Sequence, residues 1–195
     1  MPNLPSQPAY MLDPIERLAL SYAPRSARPA WEALLFFNLK LEETAKPGRE
    51  PLMVQLRLSW WRDRLSEPAD TWPKGEPVLA GLKVWEREAP ALIALVDGWE
   101  AKIVGEDGGA ELAQAQIASY VALARLLGDT ELADVRQAAE LLVHPGTSAQ
   151  RPPKLGRAMR PLAILRALAV RTEQGGQPTP LRDLAMLMRV GLLGR

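Results

Sequence analysis

Apolar residues recur along this chain at spacings of three and four and almost nowhere at two, a periodicity that predicts helices throughout. Asp13 followed by Pro14 suits the start of a first helix running through Ser21. Pro24 breaks it, and Ser26 is placed to cap a second helix with Pro29 in its first turn. That helix carries WEALLFFNLKLEETAK as far as Lys46, where Pro47-Gly48 stops it. Pro51 opens a third, PLMVQLRLSWWRDRLS, closed after Ser66 by Pro68, and residues 67–77 read as a loop. Further helical patterns cover 78–88, 90–104, 110–127, a segment ending at Val143 with Asp129 or Thr130 as cap, 159–172 and 181–193. Residues 105–109 and 144–156 read as turn and loop, and Gly128 supplies a helix stop. The expectation is an all-α protein of about eight or nine helices. Residues 1–12 form an extended arm and 13–195 a single domain, a length sufficient for one core.

The third helix concentrates the most apolar surface. Leu52, Leu56 and Trp60 recur every four residues with Met53 and Leu65 beside them, so this stripe is expected to face the core. Trp61 lies about 100° round the helix, on the side shared with Arg57 and Arg64. Two readings follow. The arginines snorkel from a core helix, or Arg57, Trp61 and Arg64 form a cation–aromatic strip lining a cavity for an anionic or lipid-like ligand.

Charge changes the picture because it is uneven. Residues 1–143 hold 15 Lys/Arg against 21 Asp/Glu, and residues 144–195 hold 9 against 2. The basic last quarter packs on the acidic body, or it meets phosphate, an anionic membrane or an acidic partner. Peripheral membrane contact would run through Arg157, Arg160, Arg166 and Arg171 on an apolar-faced helix. Nucleic acid is not expected, since no basic stripe is interleaved with aromatics. The chain has no cysteine, which excludes disulfides and thiolate chemistry, and its one histidine, His144, precedes a Pro-Gly turn and reads as an exposed loop residue. The N-terminus has no signal-peptide pattern and no 18-residue apolar run exists, so a cytoplasmic location is expected, with contact at the inner membrane as an addition.

Metal-assisted phosphate chemistry on helices wants carboxylates three or four residues apart, where they share a face. Asp63/Glu67 and Asp107/Glu111 have a spacing of four, but Pro68 follows the first and Gly108-Gly109 interrupts the second. Spacing of three occurs at Asp97/Glu100 and Glu131/Asp134. Asp97/Glu100 stands out because ALIALV precedes it, although a solvated face explains both pairs more simply.

Two segments, APRSARPAWEALLFFNLKLEETAK and PLMVQLRLSWWRDRL, resemble the squalene/phytoene synthase family, closest to its divergent branch of bacterial relatives and a mitochondrial complex I assembly factor. LVDGWE is similar to the family's mid-chain motif, and RPLAILRALAVR with PLRDLAMLMRVGLL to its closing helices. The resemblance implies an isoprenoid-synthase (terpenoid synthase) bundle, shortened here, around a prenyl cavity. In catalytic members an arginine is followed by two aspartates on the second helix, and those aspartates hold Mg²⁺ bridged to a prenyl diphosphate. Those positions fall on Leu39, Glu42 and Lys46, and an ammonium at the last opposes a divalent ion. The interval where the second acidic cluster belongs is mostly the 144–156 loop, which has no acidic residue. Ser21-Tyr22 falls where the family has a Ser-Phe pair near the diphosphate, and Arg28 falls near a further arginine of the family. The expectation is therefore a non-catalytic protein holding a lipid, an isoprenoid or a protein partner, with no cofactor. Its cavity candidates are Ser21, Tyr22, Arg28, Arg57, Trp61, Asp97 and Glu100. The alternative is a Mg-dependent prenyltransferase of isoprenoid, carotenoid or hopanoid biosynthesis, with an acidic site rearranged around Glu42, Asp97 and Glu100.

Overall fold

The structure, a computed structural model, describes residues 11–105, 107–146, 152–173, 189–190 and 194. Every regular element among them is helical. Most of the 1–12 arm and of the 181–193 helix lies outside the described residues; of the arm, Met11 is exposed and Leu12 is buried in the core.

α1 (Pro14–Ser21) begins where the residues predict, and for the stated reason. The Asp13 carboxylate accepts from Ile15 N–H at 2.7 Å, while Glu16 accepts from Asp13 N–H at 3.0 Å, a reciprocal cap that satisfies two orphan donors. α2 (Arg28–Thr44) has no side-chain cap: Ala27, not Ser26, is the boundary residue, and Pro29 sits in the first turn. The helix ends two residues before Lys46. α3 (Pro51–Ser66) is capped by Glu50, whose carboxylate accepts from Leu52 and Met53 N–H. The 78–88 pattern divides into α4 (Pro77–Leu82) and a 3₁₀ turn (Lys83–Glu88) that buries Trp85 and donates its indole N–H to Ala30 O at 2.9 Å. α5 (Ala89–Val104), α6 (Ala110–Leu126), α7 (Leu132–Val143) and α8 (Arg160–Glu173) complete the set.

Neighbours in space follow the order α3, α5, α6, α7, α8, α1, with α2 and α4 packed together across this row. α5 and α6 share the most extensive pairing. Gly98 explains their closeness: a Cβ there would stand 2.7 Å from Leu112 Cα, so only glycine lets the two backbones approach. The interior is filled by large side chains, among them Trp31, Phe37, Leu58, Trp61 and Trp85, each under 2% exposed. Phe37 meets the edge of Trp61 at 5.2 Å, and Trp31 donates its indole N–H to Ala158 O at 2.8 Å, tying α2 to the segment before α8.

Two expectations are overturned here. The buried face of α3 is Val54, Leu58, Trp61 and Leu65, whereas Leu52, Met53 and Leu56 are 58%, 62% and 56% exposed. Both sets have helical spacing, and the two-tryptophan step let the wrong one claim the core. Trp61, not Trp60, is the residue that Phe37 and the α5 side require. Second, α8 is no surface helix. It is buried from Pro161 to Arg166 between α7 and α1, and Arg166 is only 3% exposed. Desolvation lowers the pKa of its guanidinium, and one of its nitrogens meets no hydrogen-bond partner among the described residues. Arg157, Arg160, Arg166 and Arg171 therefore do not form a shared membrane-facing set.

Replacing Gly98 by alanine is expected to force α5 from α6 and cost about 1–3 kcal/mol. Trp61→Ala is expected to cost about 3–5 kcal/mol, and Leu56→Ala to leave stability within about 0.5 kcal/mol. Urea denaturation of the three variants reads all of this; equal losses for Trp61→Ala and Leu56→Ala would contradict the assigned face.

Candidate functional site

The DGWE motif on α5 is the first place to look, because Asp97 and Glu100 share one helix face. Both carboxylates turn to α3, where Arg62 holds them together. Its Nε donates to Asp97 Oδ1 at 2.7 Å and its Nη2 pairs with Glu100. These bonds, Glu100 first, raise the Arg62 pKa above its ordinary value. Between them Trp99 donates its indole N–H to Asn38 Oδ1 of α2 at 3.3 Å. Each residue of DGWE thus fastens one helix to another. Two carboxylates bridged by one guanidinium each have an oxygen engaged by a fixed cation, which leaves them poorly placed to ligate Mg²⁺.

The remaining positions implied by the synthase resemblance are dispersed. Leu39 is a half-buried core-flanking residue of α2, and Lys46 lies beyond the helix end, paired with Glu43. Glu42 is exposed and faces Glu16 of α1 electrostatically. Among the described residues no three His, Asp or Glu side chains are grouped to hold a metal ion. The donor set does not fit magnesium. The other acidic pairs have local duties. Asp107 accepts from the backbone N–H groups of Gly109 at 2.9 Å and Glu111 at 2.6 Å, which lowers its pKa, and Glu67 pairs with Arg64 at 2.9 Å. His144 is exposed at the C-terminal end of α7, and its backbone N–H closes that helix on Glu140 O.

Arg57 and Trp61 do not form one wall. Trp61 is fully buried, and Arg57 instead lies over Trp60, 6.0 Å from its ring centroid. The 100° step between adjacent tryptophans puts Trp61 inside and Trp60 at the boundary.

Ser21 and Arg28 are brought together. The chain turns between α1 and α2, and Arg28 reaches back across the turn. Its Nε donates to Ala23 O and its Nη2 to Ser21 O, both at 3.2 Å. Both residues border a cleft of about 440 Å³ with Leu12, Leu20 and Phe36 in its apolar lining. Tyr22, the neighbour of Ser21, packs on the core and is not part of this lining. Sequence reasoning missed Arg17, which enters the cleft from α1, and Glu32, one turn after Arg28 on α2. The i, i+4 spacing of Arg28 and Glu32 was legible; the approach of Arg17 was not, since it depends on how α1 folds over α2. A second cleft, about 550 Å³ and mostly apolar, lies on the other side of Glu32 and Phe36, against α4.

Next to the first cleft, Glu16 is partly buried. Burial raises its carboxyl pKa, the Asp13 N–H bond opposes that, and the charges of Asp13 and Glu42 add to it. Tyr120, near Glu16 and 5.9 Å from the Trp31 ring, has its hydroxyl pKa raised by burial as well and is a neutral phenol rather than a base. A carboxyl whose folded pKa exceeds the unfolded one costs stability above the folded pKa and is relieved as pH falls through it. Glu16→Gln keeps an oxygen acceptor for Asp13 N–H, so it should melt higher than the parent at neutral pH. The difference should close in acid; thermal melts across pH check this, and a lower melting point at neutral pH would contradict it.

Comparison with protein-family models, with curated proteins and with solved structures returns no match for this chain.

Proposed function

We propose that this chain is a non-catalytic, squalene/phytoene synthase-like helical protein that holds an isoprenoid or related anionic lipid in the cleft between α1 and α2. The supporting observation is the junction of Ser21, Arg28 and Arg17 at the rim of an apolar cleft, while Asp97 and Glu100 are committed to Arg62. Apolar lining with a few charged groups at one end is the usual chemistry of a site for a chain with an acidic head, and about 440 Å³ falls within the ~300–1,000 Å³ of small-molecule sites.

Charge narrows the ligand. Two arginines and Glu32 leave one net positive charge around the rim. That balance suits a carboxylate or a single phosphate. A diphosphate would bring several negative charges and require a cation to accompany it. Arg28 is already oriented by two backbone carbonyls, so part of the ordering cost is met before a ligand arrives. Arg17 is exposed and has no such restraint among the described residues, and it is the side chain expected to close on the head group.

Farnesyl monophosphate should raise the melting temperature without Mg²⁺, in proportion to ligand excess, as binding to the native state requires. Arg17→Ala should weaken this binding about tenfold, the loss of one charge-assisted bond, with the unliganded melt unchanged. Farnesyl and geranylgeranyl diphosphate with Mg²⁺ should give no condensed product. Mg²⁺-dependent turnover would overturn the non-catalytic assignment, and no thermal shift at saturating monophosphate would overturn the ligand.

A further inference from the structure

The overturned assignment of α3 leaves a surface that needs an explanation. Leu52, Met53 and Leu56, each more than half exposed, and the half-buried Trp60 form a stripe on the side of α3 opposite its buried face. An exposed apolar face of this kind marks a contact site. One long border of the stripe is basic, and the exposed Asp63 closes its C-terminal end. Arg57 lies over the Trp60 ring, and Arg57 with Met53 also borders a small cleft of about 230 Å³ between α2 and α3, together with Lys40 and Arg49. Two acids share that cleft, and both are committed elsewhere. Glu43 pairs with Lys46, and Glu50 caps the first turn of α3. Lys40, Arg49 and Arg57 against Glu43 and Glu50 leave the cleft beside the stripe with one net positive charge.

We infer that the outer face of α3 docks on the surface of a bilayer carrying anionic lipid. Leu52, Met53, Leu56 and Trp60 enter the head-group boundary, and the cleft flanked by Arg49 and Arg57 takes a lipid phosphate. Three features favour this occupant over a second copy of the chain. A protein face that rests in an interface combines an apolar stripe with flanking cations, and the outer face of α3 has such a stripe with Arg49 and Arg57 along one flank. Trp60, edge-on to Trp61 at 5.0 Å and covered by Arg57, presents the amphipathic ring that interfaces select. The area is also small: four side chains supply about 300 Å² at the usual burial per side chain, well below the roughly 800 Å² per partner of a stable protein interface. This surface is separate from the α1–α2 cleft and does not depend on its ligand.

Flotation with phosphatidylcholine vesicles, with and without phosphatidylglycerol, tests it on the full chain. The parent should float with the anionic vesicles and remain behind with the neutral ones. Leu52→Glu with Leu56→Glu should abolish flotation, and Arg49→Gln with Arg57→Gln should weaken it about fivefold per arginine. Because all four side chains are exposed, both double variants should keep the parent's circular-dichroism melt. Arg17→Ala should float like the parent, which separates this surface from the cleft. Flotation retained after Leu52→Glu with Leu56→Glu, or equal flotation with neutral vesicles, would overturn the proposal. So would absence of vesicle binding combined with a dimer that the Leu52/Leu56 variant dissolves.

Discussion

A methyl group on residue 98 would meet the backbone of Leu112 at 2.7 Å, and this close approach of α5 to α6 sets the geometry of the bundle. Once Gly98 fixes where α6 lies, the residues on either side of it have defined targets. Asp97 and Glu100 reach Arg62 on α3, and Trp99 reaches Asn38 on α2. Four consecutive residues thus orient three other helices around α5. The contact supplies little energy by itself. Its effect is to remove alternative packings, since interiors filled at crystal-like density tolerate few rearrangements.

That arrangement carries a chemical consequence. Carboxylates are useful to a metal when they are held apart from competing cations and turned toward one point. Here the pair most suited by spacing is turned to a guanidinium, and the position where a synthase-like site wants a second carboxylate holds Lys46. The interior of the bundle is occupied by Trp31, Phe37, Trp61 and Trp85. Open space lies along the outer edges of α2 and in a cleft of about 590 Å³ that α5, α6 and Arg136 of α7 border.

The helices were legible because caps and prolines act locally. Asp13-Pro14, Pro51 and Pro68 mark ends that no distant residue needs to decide. Faces were less legible. In α3 the sets Leu52/Leu56/Trp60 and Val54/Leu58/Trp61/Leu65 both satisfy helical spacing, and only the partner surface on α2 and α5 chooses between them. The same limit hid the burial of Arg166, which is set by the enclosure of its helix between α7 and α1. Ser21 and Arg28 were found by likeness to a motif, while Arg17 and Arg62 depend on how distant segments meet. Long-range ion pairs of this kind leave no mark in local spacing.

The central claim is that Asp97 and Glu100 serve packing through Arg62 and not a bound cation. Denaturation of Asp97→Asn combined with Glu100→Gln, compared with the parent in the presence and absence of Mg²⁺, tests it most directly. Functional carboxylate pairs repel one another without their ion, so neutralising them stabilises the free protein. Here the account predicts the reverse: a loss of about 1 kcal/mol, the scale of partly exposed ion pairs, with no effect of Mg²⁺ on either protein. A doubly neutralised variant more stable than the parent, together with a parent that Mg²⁺ stabilises, would contradict it.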